Sequence, residues 1–223
     1  MNPAPNTEAT GRKRSIEATG FTGIAFALLA FVSLALLRGI PGWGTEPATL
    51  EQWFRVAGNR TRLMAMVLIA TVASIALLWF IGAIRRRIGP HEDRLFATVF
   101  LGSGLIFITV LLTALAVFAV PATLAQQVNA ETAAHAYPLC YGLGMNLMTI
   151  VAPRIAAVFM LSLSNLGRLT GAFPKWLTVL STATGVFLLV AVTASVHIAW
   201  VMPAWCLVVG AAIVWRRKQL TAV

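Results

Sequence analysis

One residue in this sequence has a type and a position that suggest chemistry: Arg154, which follows Pro153 in the middle of a long apolar stretch. Pro138 and Arg168 bracket that stretch, at roughly 24 Å and 21 Å of helix from Arg154 if each residue rises about 1.5 Å. A single helix over this stretch would hold the arginine near the middle of a membrane. Because an arginine there costs about 2.5 to 3.5 kcal/mol on insertion scales, we expect it to face protein or water rather than lipid.

Any partner for Arg154 within its own bundle must be a neutral group, because all seven acidic residues fall in predicted tails or loops. A partner subunit or an anionic ligand is the alternative. Pro153 cannot donate a backbone hydrogen bond, which leaves the carbonyl of Thr149 as a nearby acceptor. Asn146 lies on the same half of the helix. Hydroxyl groups on neighbouring helices could also contribute, from Ser181, Thr182 and Thr184.

Two hypotheses for Arg154 are open at this point. In the first, Arg154 binds a carboxylate, a phosphate or a lipid headgroup in a cavity between helices, with Asn146 and Thr149 as further candidate ligand-binding residues. In the second, it donates to freed carbonyls or extends along a kinked helix, and it only stabilises the packing. A seam of small and polar residues on the same helix would let another helix approach closely. The seam consists of Asn146, Pro153, Ala157 and Ser164.

The composition places the chain among membrane proteins. Hydrophobic residues make up 59% of it and charged residues only 11%, about half the charged fraction of a soluble domain. The formal net charge of +10 comes from basic residues clustered beside apolar blocks. That distribution is typical of membrane orientation and of contact with anionic lipids at the cytoplasmic face, and it argues against a nucleic acid partner.

The apolar blocks predict an all-α fold, a polytopic membrane bundle of six transmembrane helices formed by residues 19–218. The expected spans are 21–38, 62–84, 94–120, 139–166, 175–196 and 199–216. Residues 1–18 are expected to form a disordered basic tail, and residues 219–223 a second short tail. Most of the 17 lysines and arginines fall on one side of the six spans, which predicts that both termini lie in the cytoplasm.

Two smaller features are a short amphipathic segment and a run of three small residues. Between the first two spans, Thr49 and Gln52 have the spacing of a helix cap, and the residues around them have one apolar face. This pattern predicts a short helix that lies in the outer membrane interface, or, as the alternative, an ordinary amphipathic loop helix without a partner. In the third span, three small residues in succession would let two helices approach closely. These helix-packing residues are Gly102, Ser103 and Gly104.

Other residues with catalytic or metal-binding side chains are few. His135 and His197 fall near the predicted outer surface, and with Glu131 they would form an enzyme site only if the three side chains met there. The sequence contains no nucleotide, metalloprotease or nucleophile motif, so we expect no enzymatic activity, no metal and no cofactor. Cys140 and Cys206 are expected to be unpaired residues of the helix packing, with a disulfide between them as the alternative.

The second and third spans carry a resemblance to other proteins. Residues 78–89 read LWFIGAIRRRIG, and residues 91–104 read HEDRLFATVFLGSG. These segments resemble a group of uncharacterised multi-spanning membrane proteins of actinobacteria, whose helix layout also matches the rest of the chain. The resemblance implies an integral protein of the plasma membrane, and it implies no activity, substrate or site residue.

The sequence favours a non-enzymatic membrane component that binds lipid or a partner protein through its helix faces, because it contains neither an intramembrane acid for ion coupling nor a nucleotide motif. The alternative is a small carrier or channel for an anionic solute or lipid, with Arg154 as the intramembrane binding charge. Expected partners are the lipid bilayer, with anionic lipids at its cytoplasmic face, and a membrane protein or a second copy of the chain. A cavity that reaches Arg154 would favour the carrier, whereas an arginine enclosed by side chains and carbonyls would favour the non-enzymatic component.

Overall fold

The computed structural model describes residues 6–88, 94–171, 173–191 and 195–221, and all the regular structure in these residues is helical. A π-helical segment joins α5 to α6, and a 3₁₀ segment precedes α8. In chain order the elements are α1 (Asn6–Leu37), α2 (Pro47–Arg55), α3 (Ala57–Ile88), α4 (Arg94–Gln127), α5 (Ala130–Asn146), the π segment (Leu147–Val151), α6 (Ala152–Thr170), α7 (Lys175–Val190), the 3₁₀ segment (Val196–Trp200) and α8 (Val201–Thr221).

Five helical segments are long and apolar enough to cross a membrane, which places the chain among multi-pass membrane proteins. In such segments only a helix satisfies every backbone polar group without water. The five are Gly20–Leu37, Ala57–Arg86, Leu95–Gln127, Ala130–Thr170 and Val196–Trp215. α7 is also apolar, but its 16 residues extend for roughly 24 Å, which is less than the ~30 Å of hydrocarbon in a typical bilayer.

The most extensive helix contacts in the bundle are between antiparallel helices. On α1 and α8, Gly20 lies against Gly210, whereas further along α1 Phe31 stacks on Trp200, which precedes α8. The pairs α1–α3, α4–α6 and α6–α7 are antiparallel in the same way. As a result, α1 begins and α8 ends at the same end of the bundle. We call the opposite end, where α1 ends and α5 begins, the distal end.

Two clusters of buried apolar side chains form the core. The larger cluster lies along α1, α3, α4, α6 and α8, with Phe80, Phe159 and Trp205 among its largest members. The smaller cluster lies toward the distal end, where α1, α3, α4 and α5 meet α2. The core therefore continues beyond the membrane-spanning helices into a cap at the distal end.

The predicted short helix is present as α2, but it packs on the protein. Leu50 and Phe54 are 1% and 0% exposed, and the ring of Phe54 contacts Tyr137 of α5. α2 begins at Pro47 after an N-cap at Glu46, rather than at the predicted cap, because proline is well suited to the first position of a helix. α2 thus belongs to the distal cap of the core.

The expected fifth and sixth spans, 175–196 and 199–216, differ from the structure. α7 ends at Val190, and a 3₁₀ segment leads into α8, which runs to Thr221. Pro203 lies in the first turn of α8, where a proline costs no helical hydrogen bond. By length, five segments rather than six qualify as spans, and α7 is the short one.

Other helices extend beyond their predicted bounds. α1 begins at Asn6, so most of the segment expected to be disordered is helical, because lengthening an existing helix avoids a new nucleation cost. α4 continues through Pro121 to Gln127, since neighbouring groups can satisfy the backbone that a proline frees in a membrane helix. Residues 1–5 and 222–223 of the predicted tails lie outside the described residues.

Candidate functional site

The stretch that contains Arg154 is one continuous helical segment, Ala130–Thr170, rather than the predicted span 139–166 alone. Its 41 residues extend for roughly 60 Å, about twice the thickness of the hydrocarbon core. α5 begins after Asn129, whose side chain accepts a hydrogen bond from the backbone N–H of Thr132 at 2.7 Å. The first turns of α5 therefore belong to the distal cap, and the rest of the segment is long enough to cross a membrane.

A π-helical turn interrupts this segment just before Pro153. Proline has no backbone N–H, and its ring would clash with the preceding turn of a regular α-helix. In the π turn, the N–H of Ala152 bonds to the carbonyl of Leu147, five residues earlier, and this wider turn makes room for the ring. The break predicted at Pro153 is replaced by a local π turn within a helix that remains continuous.

The guanidinium group of Arg154 is held by two backbone carbonyls. Nη1 donates to the oxygen of Ile150 at 2.5 Å, and Nη2 donates to the oxygen of Ala191 at 3.2 Å. Ile150 lies one turn earlier, in the direction in which helical side chains point, and it takes the place of the Thr149 carbonyl expected from the sequence. Ala191 is the C-cap residue that follows α7. At the end of a helix the last carbonyls have no partner within the helix, and a nearby positive charge is favourable. Arg154 therefore joins the end of α7 to the middle of the long helix.

Asn146 and Thr149, the other candidate ligand-binding residues, have separate surroundings. Thr149 is 1% exposed, and its hydroxyl donates to the carbonyl of Met145 at 2.8 Å. Asn146 is exposed. In the part of the chain that the structure describes, no hydrogen bond joins Arg154 to either side chain. The three polar groups do not converge on one position.

The hydroxyl groups of α7 expected near Arg154 bind other residues. Ser181 accepts a hydrogen bond from Nε1 of Trp205 at 3.0 Å. Thr182 accepts one from Arg168 at 3.1 Å, and its oxygen lies 2.7 Å from the hydroxyl of Ser164. These bonds connect α7 to α6 and α8, so the predicted seam on α6 is used for helix packing at Ser164.

The three small residues of α4 differ in what they contact. A β-carbon at Gly104 would lie 2.8 Å from Cδ1 of Ile81 and 3.1 Å from the ring of Phe159, so this glycine lets α3 and α6 approach α4. Ser103 is buried and donates to a carbonyl of its own helix at 2.6 Å. A β-carbon at Gly102 would meet no atom within 4 Å. Gly104 has the packing role expected of the triad, whereas Gly102 does not lie at a helix contact.

Side chains of catalytic and metal-binding types are dispersed. Among the described residues, no group of three or more His, Cys, Asp and Glu side chains is placed to hold a metal ion. Nδ1 of His135 lies 2.9 Å from the carbonyl oxygen of Glu131, and Nδ1 of His197 lies 2.9 Å from the hydroxyl of Ser195. Both cysteines are free thiols, as expected.

A cavity, called the central cavity below, lies inside the bundle toward the distal end. It is bounded by α1, α3, α4, the π segment, α6, the end of α7 and the start of α8. Its volume is about 70 Å³. Pro153 lines the cavity and Arg154 does not. The cavity therefore reaches the π turn without reaching the guanidinium group.

The lining of the central cavity is almost wholly apolar. Of the described lining residues only Ser33 has a polar side chain, and its hydroxyl donates to the carbonyl of Met66 at 3.0 Å. Met66, Met148 and Met202 contribute flexible thioether side chains, which adapt to ligands of different shape. Because this lining offers few hydrogen bonds to water, it favours a hydrocarbon chain over an ion or a polar solute.

The sequence gives little indication of these lining residues, because each lies in a stretch where almost every residue is apolar. One signal is the pairing of alanines at helical spacing, at Ala70 and Ala73 on α3 and at Ala152 and Ala156 on α6. These small side chains leave space beside larger ones. In an apolar helix, however, alanine pairs also occur where two helices pack closely, so the signal is not specific.

Comparison with protein-family models, with curated proteins and with solved structures gave no match to this chain. The class of protein is therefore inferred from the fold and the cavity alone. That class is a multi-pass helical membrane protein with an apolar cavity between its helices.

Proposed function

We propose that this protein is a non-enzymatic component of the plasma membrane that binds the hydrocarbon chain of a lipid in its central cavity. The observation that supports this proposal is the lining, in which the hydroxyl of Ser33 is already bonded and every other described side chain is apolar. The cavity volume of about 70 Å³ is smaller than the roughly 150 Å³ of an apolar cavity that holds benzene. The end of an acyl chain would occupy the cavity, and the rest of the lipid would lie outside it.

We also propose that the chain crosses the membrane six times with both termini in the cytoplasm. α7 would form the fifth crossing, although it is shorter than the hydrocarbon core, and Val196–Trp215 would form the sixth. The antiparallel order of the helices supports this arrangement, since α1 begins and α8 ends at one end of the bundle. The basic residues 12–14 and 85–87 precede and follow spans at that same end, as the positive-inside rule requires.

A carrier that uses Arg154 to bind an anionic solute or lipid has less support from this geometry. Two nitrogens of the guanidinium group already have carbonyl acceptors, at Ile150 and Ala191. The side chain does not line the central cavity, so an anion in the cavity would not meet the charge. The arrangement favours the structural hypothesis for Arg154.

Replacing Ala30 with Leu tests the binding of a lipid chain. Ala30 and Ala76 are both partly buried against the larger core cluster, but only Ala30 lines the cavity. The isobutyl side chain of leucine, in place of the methyl group of Ala30, would fill space in the cavity that an acyl chain otherwise occupies. We expect the purified Ala30→Leu protein to retain fewer lipid molecules in native mass spectrometry, whereas Ala76→Leu retains the parent amount.

The unfolding temperature of each variant serves as the control for folding. Undiminished lipid retention in a folded Ala30→Leu protein would contradict lipid binding in the cavity. Equal losses from both variants would show that the lipid binds elsewhere on the bundle.

A further inference from the structure

Four arginines lie near the distal end of the bundle, which is the less basic side of the chain. Two of them are already engaged: Arg55 forms an ion pair with Glu51 at 2.5 Å, and Arg60 donates to carbonyls at the end of α2. The pair Arg55–Glu51 is the single ion pair among the side chains that the structure describes. Arg38 and Arg62 therefore have no carboxylate partner in that part of the chain, and their positive charges are not neutralised by the protein.

Arg62 is held against the end of α1. Its Nε donates to the carbonyl oxygen of Leu36 at 3.3 Å. Its guanidinium group occupies the space beside Gly39, where a β-carbon would lie only 1.9 Å from Nη2. The side chain is exposed. The positive charge of Arg62 therefore has a defined position at the surface. The guanidinium group can lie beside Gly39 because glycine has no side chain.

Arg38 lies beside residues that line the central cavity. Its Cζ atom is 4.7 Å from the centre of the Trp200 ring, within the range of a cation–π contact, and that ring stacks on Phe31. Leu37, which precedes Arg38, and Ala199, which precedes Trp200, both line the cavity. An exposed charge is therefore placed next to an apolar space.

We propose that the ligand of the central cavity is a phospholipid with an anionic headgroup, whose phosphate contacts Arg38 and Arg62 while one acyl chain enters the cavity. This proposal rests on the proposed function. Guanidinium groups bind phosphate oxygens with two parallel hydrogen bonds, and two of them without acidic partners favour a headgroup of net negative charge. A zwitterionic headgroup has its own cation, which these arginines would repel.

The test compares phosphatidylglycerol and phosphatidylcholine with identical acyl chains, each titrated into the purified, delipidated full-length protein and followed by native mass spectrometry. The parent protein should bind phosphatidylglycerol more tightly. The double variant Arg38→Gln/Arg62→Gln should bind phosphatidylglycerol about tenfold more weakly and bind phosphatidylcholine as the parent does. Arg55→Gln, which removes one charge from the same end, should leave both affinities unchanged.

A second variant separates charge from folding. Arg38→Lys/Arg62→Lys keeps both charges, so it should retain a preference for phosphatidylglycerol if the double glutamine variant has lost it through charge. Equal binding of the two lipids by the parent, still reduced by Ala30→Leu, would overturn the anionic headgroup and leave the proposed function standing. Failure of the parent to bind either lipid would overturn both.

Discussion

Arginines in this protein bind the ends of helices. Arg154 donates to the carbonyl of Ala191 at the end of α7, and Arg62 donates to that of Leu36 near the end of α1. Arg60 has the same role at the end of α2. A helix leaves its last four carbonyls without partners, and a buried end needs them from elsewhere. A guanidinium group supplies several donors and a favourable charge at once, which explains how an arginine without a carboxylate is tolerated in an apolar bundle.

Arg154→Gln tests this role at the residue scale. The shorter side chain cannot reach both Ile150 and Ala191, so we expect the free energy of unfolding to fall by about 1 to 2 kcal/mol. Thermal unfolding in detergent would measure the loss. Arg55→Gln is the control, because its exposed ion pair contributes less than about 1 kcal/mol. Unchanged stability together with lower retention of anionic lipid would instead support the ligand-binding hypothesis for Arg154.

The contact between α1 and α8 depends on two glycines that face each other. A β-carbon at Gly210 would lie 2.8 Å from the carbonyl oxygen of Gly20, and one at Gly20 would lie 3.0 Å from the oxygen of Gly210. Small residues allow membrane helices to approach closely enough for strong van der Waals contact. This contact brings the first and last helices of the chain together and closes the larger core.

Gly210→Ala and Gly102→Ala form a matched pair at the scale of helices. The new methyl group at Gly210 meets backbone, which cannot rotate away, so we expect a loss of about 1 to 3 kcal/mol in stability. The methyl group at Gly102 meets no atom within 4 Å, and alanine forms helix more readily than glycine, so this variant should be as stable as the parent or up to about 1 kcal/mol more stable. Thermal unfolding would compare them, and equal effects would contradict the observed packing.

The whole molecule is an up-and-down bundle with a cap at its distal end. Tyr137 of α5 donates to the carbonyl of Pro41 at 2.5 Å and so attaches the connection after α1 to the cap. The same end contains α2, the beginning of α5, and the side chains of Arg38 and Arg62. In the proposed orientation this end faces the outside of the cell, and a lipid headgroup bound there would belong to the outer leaflet.

Labelling of single cysteines tests the orientation. In a background without Cys140 and Cys206, Thr45→Cys and His197→Cys should react with a membrane-impermeant maleimide in intact cells, whereas Lys175→Cys should react only after the membrane is permeabilised. His197 tests the fifth crossing, because it follows α7 in the chain and should lie outside the cell if α7 crosses the membrane. Labelling of His197→Cys only after permeabilisation would show that α7 does not complete a crossing, and the proposed topology would be wrong.

The class of the protein and the approximate positions of its helices could be predicted from the amino-acid sequence. Long apolar runs leave the backbone no alternative to a helix in a membrane, so the all-helical fold could be read from hydropathy alone. The isolation of Arg154 from every acidic residue was equally visible, as was the short helix between α1 and α3. Boundaries were less accurate, at Pro121 and at the end of α7, because a proline or a helix end depends on groups from neighbouring helices.

The surfaces at which these helices meet could not be predicted from the sequence and are known from the three-dimensional structure. In the structure, the end of α7 binds Arg154, and Gly104 lies at a helix contact whereas Gly102 does not. The side chains of α2 pack in the core, and the central cavity lies between the helices. The physical reason is that a helix which is apolar on all sides has no polar face from which its packing can be read. In a soluble protein the contrast between polar and apolar faces orients each helix, whereas here the fit of side chains and a few hydrogen bonds do so.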